Sequence, residues 1–457
     1  MKSPKIISLI MAVLLCTSVF TGCGQSEEDK KFDELTKTSS APESQLETES
    51  EASAPVEDDA DISGTLTLKT PDSFYWERWI KHFNKKYPNV KVELVGVGTD
   101  RTEYAQQTIV ELMGGEAPAD LVDLNYLPYY GCVESGVFEN LLEWMDNDPV
   151  VRKDELYTNV LDAVTYQDSM AGLPLAFLAG GMRLNKKYLE AAGVTGTPET
   201  ASFPEMIQWY NQAVDSGAVP KDGFFVGGTY NPYTCFQTEY QRYMKEKEGA
   251  ASFDDPSFAE TLTAMKTVSW NNIQEFQPEY SSLKSLEMAD NVFMDDSVDE
   301  ILSAGHTPLC EESDSATAAI QLAASDGTIQ FGAVVGPVGI PVASENKELA
   351  WRFLRFFLSE MELEGQLPYE GDYFGPTPLN RRNALELARS VFLDDKAAVE
   401  MADQWASRVN AISLLTNNNV LMIDINEIFN QYFQNDLLTP EQCAQKIQER
   451  AEMFLLE

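Results

Sequence analysis

Histidine is nearly missing: His82 and His306 are the only two in 457 residues. Cysteine is sparse, six in all, and no two stand at CxxC spacing. Zinc is usually held by clustered thiolates and imidazoles, so a metal centre of that kind is excluded. Cys16 and Cys23 lie near the start of the chain, and Cys132, Cys235, Cys310 and Cys443 are scattered. Their spacing leaves a disulfide open, and buried, small hydrophobic positions suit most of them. Basic residues are few: 33 Lys and Arg face 73 Asp and Glu, a net charge of −40. Such a field repels phosphate backbones and anionic lipid surfaces, which excludes nucleic acid as a partner and suits solubility in an exposed compartment. No internal apolar run is long enough to span a bilayer.

Enzyme signatures are also missing. There is no P-loop, dinucleotide fingerprint or GxSxG elbow. Ser281-Ser282-Leu283-Lys284 matches SxxK without an accompanying KTG. Asp295-Asp296-Ser297 with Asp299-Glu300 lacks the glycine and spacing of a calcium loop, and reads as an acidic helix cap. A glycosidase needs two carboxylates at a set separation, but among so many acids no pair stands out. Neither a cofactor nor covalent chemistry is implied, and the chain is expected not to be an enzyme.

What is present begins with a leader. Lys2 and Lys5 precede an apolar run, Ile6 to Phe20, then Thr21, Gly22 and Cys23. A basic start, a short apolar stretch and small residues make a secretory signal rather than a membrane span. Phe20-Thr21-Gly22-Cys23 resembles a bacterial lipobox, with Phe20 where leucine is usual. The resemblance implies cleavage before Cys23, a lipid on its sulfur and a place on the outer face of the cell membrane. Residues 24–61 are rich in Glu, Asp, Ser, Thr, Ala and Pro and nearly devoid of apolar side chains. Such a segment cannot bury enough surface to offset the entropy of ordering, so it reads as an acidic tether.

Folded pattern starts at Gly64. Leu66 and Leu68 alternate with polar residues as in a strand, and Phe74, Trp76, Trp79, Ile80 and Phe83 recur at helical spacing. Val90, Val92 and Leu94 alternate again, Tyr104 to Met113 reads as helix, and Ala119 to Leu124 as a short strand. This order indicates an α/β layer with crossover helices. The stretch from Asn185 to Ile301 reads as mostly helical, with Ser202-Phe203-Pro204-Glu205 as a capping box. Leu349, Ala350, Phe353, Leu354, Phe357 and Leu358 form one apolar stripe, and Thr439-Pro440-Glu441-Gln442 opens a last helix.

Several of these segments resemble the extracellular solute-binding proteins that include the maltodextrin-type sugar binders. Phe83-Asn84-Lys85-Lys86-Tyr87-Pro88-Asn89-Val90 is similar to the family's first helix–strand junction. Gly114-Gly115 through Pro118-Ala119-Asp120 is similar to its approach to the third strand. Gly172-Leu173-Pro174-Leu175 with Leu184-Asn185-Lys186-Lys187, Ile340-Pro341 through Trp351, and the end from Tyr432 resemble further family segments. Ser281 to Gln330 departs from the family pattern. The resemblance implies an α/β, two-lobe periplasmic-binding-protein type II (Venus flytrap) fold with hinge-crossing strands. It further implies a monomer that clamps solute between its lobes and delivers it to an ABC transporter permease. The segments then divide into signal peptide (1–22), lipidated cysteine and tether (23–61), first lobe (62–174), second lobe (175–305), a return to the first lobe (306–340), and the second lobe again with C-terminal helices (341–457).

Ligands in open α/β sheets bind beyond the carboxyl ends of strands. Sugars offer C–H faces to flat rings and hydroxyls to carboxylates and amides. Together these select Asp72, Tyr75 and Trp76 after the first strand, Asp100 and Arg101 after the second, and Asn125 and Tyr126 after the third. Tyr129 and Tyr130 follow there, and equally suit packing of the next helix. Phe177 follows Pro174, and Tyr230, with Tyr233, lies in a Gly/Asn/Pro-rich loop. Asp372 and Tyr373 sit in a loop that resembles one approaching the ligand in relatives, and Glu311, beside Glu312, is the remaining candidate. Trp76 also fits the apolar face of its helix. The expectation is a carbohydrate-binding lipoprotein of an importer. A glycan hydrolase on the same surface, or the same fold serving a peptide ligand or a sensor, are the alternatives.

Overall fold

A computed structural model describes residues 62–219, 224–227, 232–268, 292–298, 317–362, 376–392, 396–413 and 420–456. All of them fall in one compact unit, Asp58–Glu457.

The first part alternates strand and helix: β1 (Gly64–Lys69), α1 (Phe74–Lys86), β2 (Val90–Val95), α2 (Arg101–Met113), β3 (Leu121–Asp123) and α3 (Tyr129–Ser135). After α4 (Leu141–Asn147) and α5 (Thr158–Val164), β4 (Ala176–Leu178) runs almost directly into β5 (Gly181–Asn185). Next come α6 (Lys186–Ala191), β6 (Thr200–Ala201), α7 (Phe203–Asp215), β7 (Phe224–Gly227), α8 (Pro232–Tyr243), the small ribbon β8 (Met244–Lys245) and β9 (Ala250–Ala251), and α9 (Pro256–Met265). The chain continues through β10 (Val292–Val298), β11 (Thr317–Leu322), β12 (Gln330–Val335), β13 (Val338–Gly339) and α10 (Lys347–Arg355). It ends with β14 (Thr377–Pro378), α11 (Arg381–Val391), α12 (Lys396–Arg408), β15 (Ala411–Ile412), α13 (Val420–Phe429) and α14 (Pro440–Leu456).

Local chemistry sets several boundaries. Asp100 accepts from the N–H groups of Thr102 and Glu103, so α2 starts earlier than its apolar pattern suggests. Ser202 and Glu205 make the expected reciprocal capping box on α7. Thr439 and Gln442 exchange equivalent bonds ahead of α14. Asp255 caps α9 immediately before Pro256.

The strands form three larger sheets. The first has the order β13-β3-β1-β2, with β1 parallel to β2 and β3 and Leu66 opposite Val92. The second has the order β6-β11-β5-β10-β7. A third, β14-β4-β12-β15, joins them, because β4 continues into β5 and β11 leads into β12. These two connections carry the chain between lobes. Leu66, Leu68, Trp76, Phe83 and Leu121 are buried in the first lobe's core; Met182, Phe203, Ile207 and Phe225 fill the second's. A further core joins α8 and α9 to α13 and α14 through Phe236, Phe258, Leu262, Ile425 and Ile447.

Three expectations need correction here. The segment 306–340 does not all return to the first lobe, since β11 pairs with β5 and β6 in the second sheet. The segment 341–457 does not all belong to the second lobe: Ala350, Trp351, Phe353, Leu387 and Trp405 share a core with Leu66. Periodicity shows that a helix face is buried but not against which sheet. Finally, Asp295 and Asp296 lie within strand β10, not at a helix cap.

Cys132, Cys235 and Cys443 are free and buried, and burial pushes the thiols of Cys132 and Cys443 up to about 12. They behave as small apolar residues, and Cys310 lies outside the described residues. Among the described residues no helix is long and apolar enough to cross a membrane, and no group of His, Cys, Asp or Glu could hold a metal ion.

Candidate functional site

Parallel strands end on one edge of the first sheet, and the loops leaving them carry the candidate residues. β1 gives way to Thr70, Pro71 and Asp72; β2 to Gly96 and Gly98; β3 to Leu124, Asn125 and Tyr126. Gly96 and Gly98 have φ near +81° and +79°, a turn that side-chain-bearing residues resist. That turn brings Asp100 and Arg101 back beside Asp72.

Three of the expected residues form one group. The Tyr126 hydroxyl donates to Asp72 Oδ2 at 2.5 Å. Arg101 Nη2 lies 3.5 Å from Asp72 Oδ1, and its guanidinium sits over the Tyr126 ring, 4.9 Å from the centroid. Asp72 and Arg101 are substantially exposed, their side chains 49% and 38% accessible, so this ion pair faces solvent. Burial, then the bond to Asp72, pushes the Tyr126 phenol well above its usual range, keeping it a donor at neutral pH. The group therefore presents an anionic acceptor, a cationic donor and an aromatic face. Asn125 adjoins it, its amide nitrogen bonded 3.1 Å from the Ala333 carbonyl of β12. That contact sets the site against the sheet that joins the lobes.

Other expected residues serve elsewhere. Trp76 is 2% exposed and donates from Nε1 to Asp123 at 3.1 Å, so its ring belongs to the core rather than to a ligand. Phe177 is fully buried between Tyr157 and Phe331. Asp100 spends its carboxylate on the α2 N-terminus. Tyr75 is partly buried against the first core, its ring 5.1 Å from that of Phe74. Tyr129 is buried, donating to backbone carbonyls of Val164 and Gly172. Tyr130 stacks edge-on against Tyr166. Tyr230, Glu311, Asp372 and Tyr373 lie outside the described residues.

Phe74, at the start of α1, is 51% exposed, with Arg78 stacked 4.4 Å above its ring. Leu178 is half-buried where Phe177 is covered, since neighbours on a strand point to opposite faces. Phe74, grouped in sequence with Trp76 and Trp79, lies off their buried face.

The lobes also meet through hydrogen bonds away from these residues. The Tyr166 hydroxyl donates to the Lys247 carbonyl at 3.0 Å, and Gln330 Nε2 reaches the Gln237 and Thr238 carbonyls of α8. A cavity of about 400 Å³ lies among Tyr130, Ala163, Lys247, Thr328 and Asn410, drawing walls from both lobes. A larger hollow, about 930 Å³, is a surface groove between α9 and α14 and touches no strand end of the first sheet.

The family model for bacterial extracellular solute-binding proteins matches residues 68–363. The chain belongs to that family. This solute-binding protein also resembles solved structures across most of its length. The sugar-binding protein MalE from Xanthomonas citri is 12% identical, with 86% of this chain and 98% of that one covered and a TM-score of 0.59. An ABC substrate-binding protein from Listeria monocytogenes, solved with cycloalternan, is 16% identical, with 86% and 99% covered and a TM-score of 0.54. The GacH receptor of Streptomyces glaucescens, solved unliganded and with acarbose, is 14% identical, with 87% and 100% covered and a TM-score of 0.54. The fold of the solute-binding protein is thus the two-lobe α/β architecture, and its family binds solutes without transforming them.

Proposed function

We propose that this solute-binding protein reversibly captures a carbohydrate between its lobes and hands it to a membrane permease. The observation that carries the reading is the group at the strand ends: Tyr126 hydrogen-bonded to Asp72, with Arg101 over the same ring. A sugar ring can lie its C–H face on an aromatic side chain while its hydroxyls bond a carboxylate and a guanidinium. Of the three neighbours above, one is solved with cycloalternan, one with acarbose, and the third is a sugar-binding protein, which supports the same ligand class here. We further propose that Cys23 carries the lipid that holds the protein at the outer face of the membrane.

A thermal-shift screen tests the ligand class. Ligand that binds only the folded form raises the melting temperature by mass action, by about 2.7 kcal/mol of stability at a hundredfold excess over Kd. At least one mono- or oligosaccharide should raise the melting temperature, the sugar should be recovered unchanged, and amino acids should have no effect. A broad sugar panel without response would overturn the carbohydrate reading. Release of cleaved product would overturn simple capture.

A further inference from the structure

Beneath the exposed group lies a carboxylate that solute contact does not require. Asp123 ends β3 and is 3% exposed. Its Oδ2 accepts from Trp76 Nε1 at 3.1 Å and lies 3.0 Å from Thr70 Oγ1; its Oδ1 accepts from the Asn125 N–H at 3.0 Å. Thr70 Oγ1 in turn accepts from the Asp72 N–H at 3.2 Å. The Asp123 carbonyl accepts from the Tyr104 hydroxyl at 2.7 Å, and the Tyr104 ring packs edge-on against that of Tyr126. One buried side chain therefore ties the end of β1, the first turn of α1 and the end of β3. Those are the elements that carry Asp72 and Tyr126.

We propose that Asp123 is a positioning residue of the ligand site, its carboxylate fixing the relative placement of Asp72 and Tyr126 from below. The inference rests on the carbohydrate reading for its effect on affinity, but not for its effect on the site's arrangement. A carboxylate accepts from Trp76 and Asn125 and shares the single Thr70 hydroxyl proton with the Asp72 carbonyl, 3.0 Å away; a carboxylic acid turns one oxygen into a donor and must give up part of that set. Burial raises the Asp123 carboxyl to about 6, against the opposing bonds from Asn125, Trp76 and Thr70 and with Asp72 adding to the rise. The ionisable side chains facing it are Asp72 from the β1–α1 loop, Tyr104 from α2 and Tyr126 from the β3–α3 loop, with Arg101 behind Asp72. The arrangement is therefore complete at pH 7.5 and loosens as pH falls through 6.

The test has a ligand-free arm and a ligand arm, both on the full folded protein. With indole-¹⁵N and ring-¹³C labels, the Trp76 N–H and the Tyr126 ring carbons, assigned through Trp76→Phe and Tyr126→Phe, are followed from pH 8 to 5. Both should titrate together with a midpoint near 6, and the Tyr126 titration should vanish in Asp123→Asn. In Trp76→Phe the Tyr126 midpoint should move upward, because one bond to the charged form is gone; this variant also decides the matter if Asp123→Asn does not fold. In the ligand arm, the sugar giving the largest thermal shift is the probe. Its affinity should fall about tenfold between pH 7.5 and 5 in the unaltered protein, the scale of one bond to a charged group. In Asp123→Asn it should be weak and flat. A Tyr126 ring that ignores pH while Trp76 titrates overturns the proposal, as does a pH-dependent affinity that survives in Asp123→Asn. If no sugar binds the unaltered protein at pH 7.5, the carbohydrate reading fails, and the ligand-free arm decides Asp123 by itself.

Discussion

The Tyr126 hydroxyl and Asp72 share a hydrogen bond that, on the proposed reading, an incoming sugar hydroxyl would join or replace. Tyr126→Phe keeps the ring under Arg101 but removes the donor. The bond is partly exposed, so the fold loses little, whereas a site built to engage a hydroxyl loses a partner at the point of contact. We expect affinity for the probe sugar to drop about tenfold by calorimetry, with a melting shift of only about 1 °C. Unchanged affinity would remove Tyr126 from the site. His82 tests a different property. Burial, with Lys85 and Lys81 nearby, lowers its imidazole to about 4, below the ordinary 6.5 of the unfolded chain. The folded protein thus prefers neutral His82. Its stabilising contribution is full above pH 6.5 and is lost as pH falls towards 4. Allowing for solvent screening of a partly exposed ring, the loss is about 1 kcal/mol. Melting curves at pH 7.5 and 5 should show the unaltered protein losing more than His82→Gln; equal losses would show that His82 does not sense folding.

At the level of elements, the sequence reveals local structure well and partners poorly. Strand alternation at Leu66 and Leu68, the capping box at Ser202 and the helix start at Thr439 all depend on neighbours in the chain, and each stands in the structure as read. Trp76 and Phe177 were read as ligand contacts because position past a strand end does not say which way a side chain points. Asp72, Arg101 and Tyr126 could be grouped because the carboxyl-end rule needs only strand boundaries. The placement of α10 was not legible, since its stripe fits either lobe; what fixes it is long-range. Arg355, at its end, is buried beside Asp148 and bonds Glu360 at 2.6 Å, and Glu360 also takes Lys86 and the Tyr87 hydroxyl. Removing Arg355 leaves buried Asp148 without its cationic partner and takes one of two cations from Glu360. Arg355→Met should therefore destabilise by about 3 kcal/mol, seen as a lower melting temperature with the probe sugar's affinity retained by whatever fraction stays folded. A neutral result would mean that water already serves Asp148 and Glu360. The crossing strand has its own constraint at Gly181, where an added Cβ would overlap the Trp405 ring and crowd the Ile320 carbonyl. Gly181→Ala should cost about 1–3 kcal/mol by overpacking, and adding Trp405→Phe should recover part of that loss.

Across the whole molecule, the proposed capture and the proposed attachment would be carried by different stretches of chain. The described fold starts at residue 62, and the first strand begins at Gly64, whose N–H already bonds the Asn89 carbonyl. Every contact assigned to the site lies beyond that point, on loops held by the parallel core of β1, β2 and β3. The proposed lipid, by contrast, rests on one sulfur at Cys23. A thioether-linked diacyl group contributes two chains, enough for stable anchoring, whereas nothing in the strongly acidic remainder favours an anionic membrane surface. Cys23→Ala should thus move the protein from the membrane fraction into the medium or the buffer wash. Kd for the probe sugar should stay within about twofold, because Cys23 is not among the residues assigned to the site. Retention of Cys23→Ala in membranes after a high-salt wash would place the anchor elsewhere. A large loss of affinity would mean that the leading segment shapes the site, and that the division between a tether and a binding body is false.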